Sequence, residues 1–209
     1  MIQANGLYHM LLQQPIAYDV ILNKDSHFLF LTGANMAGKS TFIKSVGTAV
    51  CLAHLGMGVP ATAMQLSQFD GMLSNINVID NIVKGESYFY NEVQRIKTTI
   101  TRINNGRKWL ILIDELFKGT NVQDAMKCSI AVIRGLLKIK NSLFILSTHL
   151  YEIGYELGDN PHISFKFFET KVEDDQLQFS YQLQEGISND RLGYLILKRE
   201  GVVDLLDGL

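Results

Sequence analysis

Phe28-Leu29-Phe30-Leu31-Thr32 followed by Gly33-Ala34-Asn35-Met36-Ala37-Gly38-Lys39-Ser40-Thr41 is an apolar strand running straight into a glycine-bounded loop. Residues 33 to 41 fit the phosphate-binding pattern G-x-x-x-x-G-K-[ST], with a strand before it and a helix after it. Gly33 and Gly38 let the backbone turn tightly, so successive N–H groups converge on one anion. The positive end of the following helix adds to that field. The pattern predicts a nucleoside triphosphate cradle built from Gly33, Ala34, Asn35, Met36, Ala37, Gly38, Lys39, Ser40 and Thr41. Lys39 would reach the β- and γ-phosphates, and the Ser40 hydroxyl would ligate Mg²⁺. A plain glycine-rich turn is the alternative.

The rest of the composition narrows the class. A chain of 209 residues with 47% hydrophobic content is long enough for one large α/β domain spanning 1–209. A formal charge of −2 and a pI near 6.2 argue against a strongly basic nucleic-acid surface. Cys51 and Cys128 are widely spaced and fit no metal or redox pattern, so buried free thiols are expected. No run of 18 apolar residues and no charged-then-apolar leader is visible in the sequence, so no membrane partner and a cytoplasmic location are expected.

Periodicity places the elements. An early strand is expected around residues 16 to 22, a buried strand at Phe28 to Thr32 and a helix from Lys39 to Leu55, stopped by Gly56 and Gly58. Short strand signals lie at Gln65–Phe69 and Met72–Ile76. Ser87 to Asn104 reads as a long helix, Trp109 to Ile113 as a strand, and Val122 to Lys138 as a helix. Leu143 to Leu146 reads as a strand and Tyr151 to Leu157 as a short helix. Continuous apolar strands alternating with helices predict a mainly parallel sheet sandwiched by helices. Ile163–Val172 and Leu177–Leu183 read as an antiparallel pair, followed by a helix from Asp190 to Arg199.

Two further motifs fit the loop. Trp109 to Ile113 ends in Asp114-Glu115, which delivers two carboxylates at the C-terminal edge of a strand. Asp114 would hold Mg²⁺ through water, and Glu115 would orient and deprotonate the attacking water. Thr148-His149 ends the next strand, where His149 would bond the γ-phosphate or the water. Solvated acids and a packed histidine are the plain alternatives. A glutamate base beside the aspartate, with a histidine after the next strand, points to the ABC-type branch of P-loop ATPases. The transporter string Leu-Ser-Gly-Gly-Gln is not present.

Within that branch the chain resembles the ATPase domain of the MutS family of DNA mismatch-repair ATPases and their paralogues. Thr32 to Thr41, with its internal Asn35-Met36, is similar to T-G-P-N-M-[GA]-G-K-S-T. Gly85-Glu86-Ser87-Tyr88-Phe89 with Glu92 resembles G-x-S-T-F-x-x-E, and Asp114 to Thr120 resembles D-E-x-x-[RK]-G-T. Thr148-His149 with Glu152 resembles T-H-x-x-E, and Gly58-Val59-Pro60-Ala61 and the Gly186-Ile187-Ser188 element also have counterparts.

The resemblance implies a composite site. Ser87 would approach, in trans, the γ-phosphate of ATP held by a partner, which is either a second copy or a paralogous ATPase domain. Asn35 would sit beside the γ-phosphate and the water, making Asn35, Glu115 and His149 the catalytic set. ATP binding would clamp the two domains and hydrolysis to ADP would release them. A helix N-cap is the plain reading of Ser87. DNA contact in the family lies mainly in regions that precede this domain in whole members, so either a fragment of a longer protein, favoured by the abrupt Met1-Ile2-Gln3 start, or a stand-alone ATPase is expected. Some positions depart from the family. Ala34 stands for a proline, Tyr88 for a threonine and Lys118 for the arginine of repair members. The aromatic that stacks adenine falls at Pro15, with Tyr18 or Tyr181 as substitutes. The competing expectations are an ABC or chromosome-maintenance ATPase module and an ATP-gated dimerisation module with little hydrolysis.

Overall fold

The structure, a computed structural model, describes residues 1–76, 88–158, 160–173, 176–188 and 193–207. Its centre is a six-stranded sheet in the order β5-β6-β7-β3-β8-β9. These strands are β3 (Phe28–Thr32), β5 (Gly71–Asn75), β6 (Trp109–Asp114), β7 (Leu143–Ser147), β8 (Ile163–Glu173) and β9 (Gln176–Glu185). From β5 to β8 every neighbouring pair is parallel, and only β9 runs antiparallel, to β8.

Every residue of β3 and of β7 is buried, which is why both read as continuous apolar runs. Alternation sorts their side chains. Leu29, Leu31 and Ile145 join one core with Phe42, Ile43 and Val46 of α1 (Lys39–His54). Phe28, Phe30, Phe144 and Leu146 face the other way. There they meet Ile96 and Ile103 of α2 (Tyr88–Ile103), Ile133 and Leu136 of α3 (Val122–Leu136), and Ile153 of α4 (Glu152–Leu157). The sheet is therefore covered on both faces, as expected for an α/β chain.

Close approach is built into α1. A Cβ placed on Gly47 would lie 2.7 Å from Leu112 Cδ1 of β6, so glycine lets the helix lie flat on the sheet. Asn121 caps α3 by accepting from the Asp124 N–H at 3.0 Å.

A smaller antiparallel sheet, β2-β1-β4, comprises β1 (Ile2–Leu7), β2 (Tyr18–Leu22) and β4 (Ala63–Leu66). The expected early strand is β2. β1 escapes the periodicity because a register shift between Ala4 and Leu7 breaks the alternation of its buried residues. Tyr18 ties this sheet to the core, meeting Phe42 and Phe168 edge-on at 5.5 and 5.8 Å.

Other expectations shift. β4 ends at Leu66 and β5 starts at Gly71, earlier than the apolar signals placed them. The C-terminal strand pair forms as a hairpin, but β8 also pairs parallel with β3, so the hairpin extends the central sheet. Two helices, α5 (Gly193–Arg199) and α6 (Val202–Asp207), close the chain where one was expected. Cys51 is exposed and Cys128 half-buried, which corrects the expectation of buried thiols. Among the described residues no helix is long and apolar enough to cross a membrane.

Candidate functional site

Because β3, β6 and β7 are parallel neighbours, their C-terminal ends emerge at one edge. Register pairs Leu31 with Ser147 and Asp114 with Ser147, so the loop after β3 and the acids after β6 are neighbours there. The chain leaves β3 for the far edge at β5 and returns through β6 to β7 beside β3. The crevice at such a reversal is where open α/β sheets take ligands.

A cavity of about 400 Å³ lies at this edge, lined by Ala34, Asn35, Met36, Gly38, Lys39, Ser40, Thr41, Asp114, Glu115 and Lys118. Three backbone conformations shape the loop. Gly33 and Gly38 adopt φ of 140° and 108°, and Met36 reaches φ 70°, a region non-glycine residues seldom enter. Gly33 also packs so close to β8 that an added Cβ would meet Phe168 O at 3.2 Å. Ala37 is buried and turns back to donate to Ala34 O at 3.3 Å, leaving Asn35 and Met36 exposed at the crest.

Lys39 opens α1 and is buried, with its ammonium donating to Gly33 O at 2.6 Å and Ala34 O at 2.8 Å. Burial lowers its pKa, countered in part by the charges of Glu115 and Asp114. Ser40, one residue on, donates its hydroxyl to one Asp114 carboxylate oxygen, and Ser147 donates to the other. Asp114 thus joins the loop helix to two central strands. Thr41 also lines the cavity.

Glu115 follows at φ 65°, with its N–H donating to Ser147 O at 2.9 Å. Its carboxylate is held on both sides. His149 Nδ1 is 3.2 Å from Oε1 and Lys118 Nζ is 3.0 Å from Oε2. Burial alone would raise its pKa, but the hydrogen bonds from His149 and Lys118 and their charges outweigh this and bring it to about 2. Glu115 is therefore ionised across the physiological range. For Lys118, burial is likewise outweighed, and contact with Glu115 raises its pKa.

The site residues expected from the sequence and described in the structure converge: Gly33 to Thr41, Asp114, Glu115 and, through its bond to Glu115, His149. Ser87 lies outside the described residues. Glu92, matched to the same motif, is buried and accepts from the Lys118 and Gly119 N–H groups at 3.0 Å each. Of the aromatic candidates, Tyr18 is buried in the core. Tyr181 is 40% exposed, and its ring edge would meet a Cβ on Gly38 at 3.5 Å. Two contacts were not anticipated, Ser147 to Asp114 and Lys118 to Glu115. A hydroxyl ending the strand next to Asp114 was legible for the first. Nothing local signals the second, because a lysine three residues on reads as solvated.

The residues also fit an Mg²⁺–triphosphate pair. The Ser40 hydroxyl and Asp114 carboxylate are hard oxygen donors, and Lys39 is a cation on the same cavity, whereas the Lys118 ammonium is paired with Glu115. Among the described residues no cluster of three or more histidine, cysteine or acidic ligands exists. A two-donor set suits a cation that keeps waters and phosphate oxygens as its other ligands.

The sequence pattern described as MutS domain V matches residues 29–204. "DNA mismatch repair protein MutS" of Petrotoga mobilis is 30% identical over 183 residues, covering 88% of this chain and 22% of the relative. The protein of the same name from Leuconostoc citreum is 34% identical over 190 residues, covering 90% and 22%. That from Thermotoga maritima is 28% identical over 192 residues, covering 92% and 24%. The chain therefore spans under a quarter of the length of these relatives. With a match that runs through the loop, both carboxylates and the histidine, this chain belongs to the MutS family and is its domain V.

Proposed function

We propose that this chain is an Mg²⁺-dependent ATPase module of the P-loop class that completes its site with a second copy of itself or a paralogous domain. The carrying observation is the cavity that sets Lys39 and Ser40, at the head of α1, against Asp114 and Glu115. The loop N–H groups and Lys39 bind the phosphates, and Ser40 and Asp114 hold Mg²⁺. When bound, Mg²⁺ neutralises developing charge on the phosphoryl oxygens. Glu115, being ionised, orients the water by accepting its hydrogen bond at a carboxylate oxygen and takes its proton as attack proceeds. His149 steadies that carboxylate, and Asn35 at the loop crest meets the γ-phosphate. Tyr181 offers a face for the base. Ser87 acts in trans.

The relatives are named DNA mismatch repair proteins, and on this reading DNA is handled outside this chain. A net charge of −2 accords with weak DNA affinity for the chain alone.

Lys39→Ala should abolish ATP binding in a fluorescent-nucleotide titration, and unchanged affinity would refute the phosphate-loop assignment. Glu115→Gln should keep binding while slowing turnover by the roughly 10²- to 10⁴-fold a general base supplies.

A further inference from the structure

The Glu115 carboxylate is gripped by a residue whose own placement depends on another helix. Lys118 Nζ reaches Glu115 Oε2 at 3.0 Å from three residues downstream. The turn between them is strained. Glu115 and Phe117 both take positive φ, at 65° and 58°, a cost that surrounding contacts must offset.

Those contacts come from the N-terminal end of α2. The Phe89 and Phe117 rings lie 5.7 Å apart, and Phe117 is buried. A Cβ on Gly119 would lie 2.5 Å from Tyr88 Cδ1 and 2.6 Å from Phe89 N, so the turn is pressed against the start of the helix. Glu92 completes the clasp. Its two oxygens accept the Lys118 and Gly119 N–H groups, and its side chain is almost wholly buried. A buried carboxylate spent on two backbone N–H groups is an expensive fixture for a surface turn. It fixes the backbone from which the Lys118 side chain departs.

We propose that Lys118 is a positioning residue for Glu115, and that Glu92 sets where Lys118 stands, so the N-terminal end of α2 governs the orientation of the base. This rests on Glu115 being the base. Any displacement of the start of α2 moves the clasped turn, and with it the ammonium on Oε2. His149 holds Oε1 independently of α2, so the carboxylate pivots about the histidine contact.

The test is a double-mutant cycle on the full chain with Mg²⁺ and ATP, read by phosphate release and by the Glu115 backbone amide signal in NMR spectra. Lys118→Met should lower kcat by roughly ten- to a hundredfold, the cost of a misplaced catalytic group, with KM for ATP unchanged. Lys118→Arg, which keeps the cation, should retain most of the turnover. Glu92→Gln, whose amide offers one acceptor oxygen where two are needed, should lower kcat in the same way. It should have no further effect in the Lys118→Met background. Both single variants should shift the Glu115 amide signal. Wild-type kcat in Lys118→Met, additive losses in the double variant, or an unmoved Glu115 amide in Glu92→Gln would each overturn the proposal. Lys118 is 44% exposed, so its replacement leaves the core intact. Glu115→Gln separates the two readings. Unslowed turnover there removes the base and this proposal together, whereas slowed turnover beside an unaffected Lys118→Met removes only the positioning.

Discussion

At the scale of single residues, charge and burial set what each group can do. Lys39 is held by two loop carbonyls, so its ammonium is already ordered, which on the proposed reading lowers the ordering cost of phosphate binding. His27 is a contrasting case. It is fully buried against the Phe144 and His162 rings, and among the described residues neither ring nitrogen has a partner in hydrogen-bonding geometry. Burial lowers its pKa, and the charges of His162 and Lys140 add to this. The Leu137 carbonyl opposes them in part, from outside hydrogen-bonding geometry. The unfolded chain therefore takes up a proton near pH 6.5, where the folded chain refuses one. Stability should be greatest above that pH and fall as the pH drops, levelling only below the folded-state pKa. Urea midpoints at pH 7.5 and pH 5.5 would show the fall, and His27→Leu should flatten it.

Elements are fixed by how closely they pack. Helix α1 lies on the sheet through Gly47, whose Cβ position is 2.7 Å from Leu112. Gly47→Val should force the helix outward and destabilise the domain by about 1–3 kcal/mol, the usual cost of overpacking. It should also weaken nucleotide binding, because α1 carries Lys39 and Ser40. A variant with the wild-type denaturation midpoint would contradict this. The elements that resisted reading from sequence have a common cause. β1 hides its alternation behind a bulge, and the C-terminal hairpin is recognisable as a hairpin while its pairing with β3 is not. Local periodicity records which face of a strand is buried, but not which strand lies beside it.

Considered as a whole molecule, the site sits at one edge and is open to solvent. On the proposed reading, a second domain supplies Ser87 at this edge. Sedimentation of Glu115→Gln with and without ATP tests this. An ATP-dependent shift to a dimer is expected, and a monomer at saturating ATP would rule out the shared site for this chain. The loop from Gly33 to Thr41, the Asp114-Glu115 pair and Thr148-His149 were all legible in sequence, because each is a short pattern at a strand end. A parallel sheet brings such ends to one edge whatever else the chain does. The sequence by itself thus determined the glycine-bounded loop, the acids at the strand end, the parallel core and the family. Tertiary structure alone decided that Ser147 and Ser40 both bind Asp114, that β8 borders β3, and that Glu92 on α2 holds the turn bearing Lys118 against Glu115. The physical reason is range: backbone preference and apolar period act over a few neighbours. The contacts 26 residues apart between Glu92 and Lys118, and 33 apart between Ser147 and Asp114, exist only once the packed sheet and helices bring them together.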